Sequence, residues 1–129
     1  MRQRLHQPAF RAQVICAYET KCAICTLAHG QLLDAAHITP DREADSSTSV
    51  TKGLSLCKIH HTAYDINIVG IDPDYKIHIR EDILKEVDGP MLQHGIKEMD
   101  MRSLWIPPTK SKQPDRERLS ERFTVFQQQ

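Results

Sequence analysis

The chain has 129 residues, one domain's worth, enough for a modest core that gains from a staple. Seventeen basic residues balance seventeen acidic ones and only 5% of residues are aromatic, which argues against a uniformly basic adhesive surface and against base stacking on aromatic side chains. The charge is uneven: residues 1–30 hold four basic against one acidic, residues 102–129 six against three, and residues 31–101 seven against thirteen. Two basic ends around an acidic centre suit phosphate contacts flanking a metal site, although a solvated mixed surface is the plainer account of the same charges.

In chain order, Pro8 suits the first turn of a helix running to Tyr18, with Phe10, Val14 and Ala17 on one face. Cys16, within this apolar stretch, reads as a buried small hydrophobe. Gly30 breaks the chain, and Leu32 to Ile38 reads as a strand ended by Pro40. Residues 41–51 are polar and loop-like. Leu54-Ser55-Leu56 is a short strand-like link, and a helix follows from near Lys58 to about Asp65. Two short strands are expected at Val69–Ile71 and Tyr75–Ile79, joined by the turn Asp72-Pro73-Asp74. Short helices follow at 81–86 and 91–99, Trp105 to Pro108 is extended, and Asp115 to about Phe126 forms a last helix with Leu119, Phe123 and Phe126 on one side. No internal repeat or long low-complexity tract is present. No charged-then-apolar leader opens the chain and no apolar run nears membrane-spanning length, so a cytoplasmic protein without a membrane partner is expected. The abrupt start, Met1-Arg2-Gln3-Arg4, suits either a small standalone enzyme or the C-terminal piece of a longer protein.

Two clips carry the chemistry. Cys22-Ala23-Ile24-Cys25 offers two thiolates from one tight turn, and Cys57-Lys58-Ile59-His60 offers a thiolate and an imidazole. Brought together they supply the four ligands that tetrahedral zinc requires, so Cys22, Cys25, Cys57 and His60 are expected to hold a structural Zn²⁺. His61 could exchange with His60 as the fourth ligand. A redox role for Cys22 and Cys25 would leave the second clip unexplained, and cysteines this close are a poor start for a secreted disulfide framework.

Two histidines are then left over. His61 and Asp65 lie one helical turn apart on one face, a half-site for a second, catalytic divalent ion. His37, near a strand end, could approach from across the gap and take a proton from water as a neutral imidazole. Singly, His37 reads as a hydrogen-bonded core histidine and Asp65 as a helix-end carboxylate; their joint occurrence favours a catalytic site.

Cys22-x-x-Cys25, Ala36-His37-Ile38-x-Pro40 and Gly53-Leu54-x-Leu56-Cys57-x-x-His60-His61 together resemble the HNH endonuclease pattern of the ββα-metal nucleases. Asp65, Gly70-Ile71-Asp72-Pro73-Asp74-Tyr75 and Asp88-Gly89-Pro90-Met91-Leu92 are similar to a prokaryotic branch of that family. The resemblance implies an α+β fold. A small zinc-stapled ββα-metal core would occupy about 20–66 of a single domain spanning 1–129, with flanking helices and short strands, an N-terminal helix and a C-terminal extension over 67–126. It implies a metal-dependent endonuclease that hydrolyses DNA phosphodiester bonds, in defence or restriction. His37 would be the general base, and His61 and Asp65 would hold Mg²⁺ or another divalent ion.

Two departures stand out. Lys52 occupies the position usually held by Asn, whose side chain steadies the loop carrying the base; Lys cannot accept such hydrogen bonds, though it could touch a phosphate or leave the task to Thr51. Ala36 stands where an acidic residue or His often binds metal, and Asp34 is offset from it by two positions. Lys52 therefore counts as a candidate catalytic residue with His37, His61 and Asp65. Arg2, Arg4, Arg11 and Lys52, with the basic cluster over 110–122, are candidate contacts to the DNA backbone. A target-recognition domain and a second copy of the chain are the further partners to expect. The competing interpretation is a non-catalytic zinc module that binds DNA or protein.

Overall fold

Phe10, Val14 and Tyr18 recur at every fourth position and all three are buried, so they turn one face of the first helix inward. In the computed structural model, which describes the backbone of residues 2–39 and 50–129 and the side chains from Pro8 onward in those ranges, this helix, α1, spans Arg2–Ala17. Pro8 therefore lies inside the helix rather than in its first turn. Proline removes one backbone donor, but its fixed φ is helical, so α1 continues through it. Cys16 is exposed, contrary to the sequence expectation. It sits two residues beyond Val14, about 200° around the helix, and so faces solvent.

β1 (Leu33–His37) and β2 (Gly53–Cys57) form an antiparallel hairpin in which Leu33 pairs with Cys57 and His37 with Gly53. The expected polar loop at 41–51 falls largely outside the described residues. β2 runs straight into α2 (Lys58–Asp65), with Cys57 as its N-cap residue. The order strand, strand, helix is therefore contiguous in space, as a ββα core requires. A second antiparallel pair, β3 (Val69–Ile71) and β4 (Ile77–Ile79), follows. Between them the Asp72 carboxylate accepts hydrogen bonds from the backbone N–H groups of Asp74 at 2.9 Å and Lys76 at 3.0 Å, and also meets His78 Nε2 at 2.7 Å. A short helix α3 (Glu81–Leu84), a π-helical turn over Met91–Ile96 and a 3-10 turn over Lys97–Met99 lead to α4 (Arg116–Gln127). Asp115 caps α4, accepting a hydrogen bond from Glu117 N–H at 2.9 Å. The expected extended stretch at 105–108 has no regular strand.

One contiguous cluster of buried side chains runs from Phe10 to Leu119. Two glycines make its close contacts feasible. At Gly53 an added Cβ would lie 2.6 Å from Phe10 Cζ and 2.9 Å from Val14 Cγ2. At Gly70 in β3 it would overlap the ring of Phe126, which seats α4 on the sheet. Gly70→Ala is therefore expected to destabilise the protein by about 1–3 kcal/mol through overpacking, read as a lower urea midpoint. Phe126→Leu in the same chain should recover part of that loss. An unchanged midpoint for Gly70→Ala would show that α4 is not seated this closely.

Candidate active site and metal centre

The first clip is a knuckle closed by backbone bonds: Thr26 N–H donates to Cys22 O at 2.8 Å and Cys22 N–H to Leu27 O at 3.0 Å. Ala23 N–H donates to Ser55 O at 2.7 Å, pinning the knuckle to β2, and Trp105 N–H donates to Ala23 O at 2.8 Å. Cys57 ends β2, and His60 lies one turn into α2. Their ligand atoms and those of Cys22 and Cys25 all fall within 4.8 Å of one another. Cys25 Sγ and Cys57 Sγ are 4.0 Å apart; His60 Nδ1 is 3.6 Å from Cys22 Sγ and 3.3 Å from Cys57 Sγ. Tetrahedral zinc, with bonds of about 2.3 Å to sulfur and 2.0 Å to nitrogen, sets its ligands about 3.8 Å (S to S) and 3.5 Å (S to N) apart. The cluster fits a zinc-sized ion, and His60 rather than His61 completes it.

His60 Nε2 bonds to Gly95 O at 2.6 Å, which orients the ring from behind. The π-helical turn is thereby tied to the metal cluster. Crowding also shifts the thiols. Hydrogen bonds with Cys22, then Cys25, hold the Cys57 thiol far below its ordinary value; contacts with Cys22 and Cys57, then burial, push Cys25 far up. Burial works against charge on His60, but its sulfur neighbours and Gly95 push it up to about 10. A bound cation would relieve this competition by replacing the shared protons.

Beside the cluster opens a cleft of about 790 Å³. His37, His61 and Asp65 all line it, with Asp34, Arg11 and Arg122. His37 ends β1, and its ring stacks on Phe10 of α1 with centroids 4.5 Å apart and planes 9° from parallel. His61 Nε2 lies 3.3 Å from Asp65 Oδ2, as the one-turn spacing predicts. Adjacent ligands of a small divalent ion, each about 2.1 Å from it, sit about 3 Å apart, so this pair fits one edge of such a site.

Asp34 was not singled out as a site residue from the sequence. Its Oδ2 meets His61 Nδ1 at 2.9 Å, and its Oδ1 accepts a hydrogen bond from Lys58 Nζ. Burial alone would raise this carboxyl, but the Lys58 and His61 contacts outweigh it and hold Asp34 below the usual carboxylate range. The signal available in the sequence was strand alternation: positions 34 and 36 lie on the same face of β1, so an acid two residues before Ala36 shares its side of the strand.

The other candidates are dispersed. Lys52 lies in a 3-10 turn over Val50–Lys52 and is not among the described residues lining the cleft. Its backbone carbonyl accepts a hydrogen bond from Ile38 N–H at 3.0 Å, so the chain next to His37 is steadied by the main chain of residue 52. Thr51 O accepts from Asp115 N–H at 2.9 Å. Arg11 Nη2 donates to Gly30 O and Leu33 O, both at 3.0 Å, at the rim of the cleft. The side chains of Arg2 and Arg4 lie outside the described residues. In the basic cluster over 110–122, Arg118 Nη1 donates to Thr39 Oγ1 at 2.7 Å. Arg122 Nη2 donates to Tyr64 O at 2.5 Å, and its guanidinium lies over the Tyr64 ring. Arg118 and Arg122, one turn apart on α4, thus both reach side chains or backbone at the cleft.

Residues 22–72 match the family described as HNH endonuclease. The matched segment holds both clips, the hairpin and α2. By that match the segment is similar to HNH endonucleases. Among solved structures the chain is similar to one titled "Modification dependent TagI restriction endonuclease", with a TM-score of 0.61 and 18% identity over 88% of this chain. That likeness extends the shared fold beyond the HNH segment to most of the chain. The chain spans only 36% of that protein's length. No curated protein matches the chain. Among the described residues, no helix is long and apolar enough to cross a membrane.

Proposed function

We propose that this chain is the nuclease part of a metal-dependent HNH endonuclease that hydrolyses DNA phosphodiester bonds in defence or restriction. The observation that carries this reading is the convergence of His37, His61 and Asp65 on one cleft beside the four-ligand cluster. Zn²⁺ on Cys22, Cys25, Cys57 and His60 would be structural. His61 and Asp65 would hold Mg²⁺ or another divalent ion. When bound there, such an ion supplies Lewis-acid stabilisation of the charge that develops on the phosphate and the leaving 3′ oxygen.

The chain's own residues account for the rest. His37, held by its stack on Phe10, takes the proton from the attacking water, leaving 5′-phosphate and 3′-hydroxyl ends. Arg11 and Arg122 line the cleft and Arg118 bonds to Thr39 in its wall; there they would grip the backbone without reading sequence, and Arg2, Arg4 and Lys52 would extend that contact. With its backbone carbonyl supporting the chain beside His37, Lys52 would contribute through position, and its ammonium would touch a phosphate. Sequence or modification specificity would come from an attached recognition domain, since the similar restriction endonuclease is far longer than this chain. The reading places the protein in the cytoplasm, where thiols stay reduced.

The test is nicking of supercoiled plasmid by protein that retains its tightly bound zinc but is stripped of other ions. Adding Mg²⁺ or Mn²⁺ is expected to start nicking, and removing it to stop nicking. Binding of DNA with no cleavage under any divalent ion would favour the non-catalytic zinc module, to which Ala36 and Lys52 point.

A further inference from the structure

His61 carries a carboxylate at each ring nitrogen: Asp34 at Nδ1, 2.9 Å, and Asp65 at Nε2, 3.3 Å. A neutral imidazole has one N–H and can donate to only one of them. The two carboxylates are not equivalent. Asp34 is the better sheltered, with 24% of its side chain exposed against 55% for Asp65, and it is anchored by Lys58. It also sits on a strand, whereas Asp65 ends a helix.

We propose that Asp34 is the positioning residue of the divalent-ion site: it accepts the Nδ1–H of His61 and so turns the Nε2 lone pair toward Asp65 and the ion. The inference rests on the assignment of His61 and Asp65 as ion ligands made above. Because the two ring nitrogens point away from each other, a carboxylate on Nδ1 cannot share the ion held at Nε2. Asp34 therefore acts through His61 and is not itself a ligand. The same arrangement explains how Ala36 is tolerated at a position often used for metal binding. The acidic group of β1 lies two residues earlier on the same face and orders a ligand in place of supplying one. Lys58, the first residue of α2, holds the other oxygen of Asp34 and fixes the carboxylate's rotation.

The test measures the ring and the ion separately. In zinc-loaded protein free of other divalent ions and labelled with ¹⁵N-histidine, ring-nitrogen chemical shifts in mildly alkaline buffer report the His61 tautomer. The wild type is expected to show the Nδ1–H form, and Asp34→Ala the Nε2–H form that an unconstrained imidazole prefers. Mn²⁺ affinity by calorimetry is expected to fall roughly 10–100-fold in Asp34→Ala, the usual cost of losing such a partner. Asp34→Asn, whose side-chain oxygen still accepts from Nδ1–H, should keep the tautomer and most of the affinity. Unchanged zinc content and melting temperature in both variants show that the fold is intact. The proposal is overturned if Asp34→Ala retains the Nδ1–H tautomer. It is equally overturned if Asp34→Asn loses Mn²⁺ as fully as Asp34→Ala with the tautomer intact, for then Asp34 binds the ion directly. His61→Ala separates this from the underlying assignment: if that variant binds Mn²⁺ as well as wild type, the ion site is elsewhere, while the tautomer result still decides what Asp34 does to His61.

Discussion

Cys57→Ser is expected to leave the protein without its folded core. Cys57 is the last residue of β2, the N-cap of α2 and one of the four clustered ligands, so three structural roles meet at one residue, and its sulfur carries the ligand role. A structural zinc site of this kind is worth on the order of 10 kcal/mol of folding free energy. Small domains have only about 5–15 kcal/mol of net stability, so losing a ligand removes most of it. The loss should spread beyond the hairpin. The first clip is bonded to Ser55 and Trp105, and His60 to the Gly95 carbonyl, so the cluster anchors the chain's middle and its C-terminal extension alike. Circular dichroism should show a largely unfolded chain at ambient temperature, and elemental analysis should show the zinc gone. Wild-type protein treated with a strong chelator should reach the same state. Cys16→Ser is the matched control: its sulfur is exposed, and a change within about 0.5 kcal/mol is expected. A Cys57→Ser protein that keeps its zinc and melts within a few degrees of wild type would refute the staple.

His37→Ala is expected to lower the plasmid-nicking rate by about 10²–10⁴-fold, the range that positioned general bases contribute. The fold should survive. His37 is partly exposed, and its stack on Phe10 is worth about 0.5–1.5 kcal/mol. Zinc content and Mn²⁺ affinity should stay at wild-type values, because neither ion touches residue 37 in this assignment. Phe10→Leu tests the positioning of the base without removing it. Its rate should fall less than that of His37→Ala, since the imidazole remains but loses its flat support. A His37→Ala enzyme that nicks within threefold of the wild-type rate would end the role of His37 as base.

Much of the site could be read locally. The two clips announce a metal cluster because ligands three residues apart in a tight turn or a first helical turn must lie close together. The His61–Asp65 pair follows from helical periodicity alone. The α4 register was equally plain, with Leu119, Phe123 and Phe126 on one side, and Gly70 opposite Phe126 is the packing consequence. Cys16 is exposed despite its apolar neighbours because they do not set the side of a helix, and two positions beyond Val14 is nearly the opposite one. Pro8 lies inside α1 rather than at its start because a proline's fixed φ is compatible with a helix interior, at the cost of one backbone donor.

Asp34 shows where local reasoning ends. It lies 27 residues from His61, and their contact depends on how β1, β2 and α2 fold onto one another. Position 52 taught a similar lesson, since a side chain that cannot accept a hydrogen bond says nothing about the carbonyl of the same residue, which can. Arg118 reaches Thr39 across 79 residues, a pairing that no spacing in the chain announces.

The amino-acid sequence on its own determined which residue types are present for metal and proton chemistry, and at what local intervals, because turns and helices set short-range distances directly. Tertiary structure alone decided that His60 rather than its neighbour turns to the sulfurs. It also decided that Asp34 stands behind His61 and that α4 delivers Arg122 to the cleft. Those contacts join segments far apart in the chain, and only the packing of one element against another sets such distances.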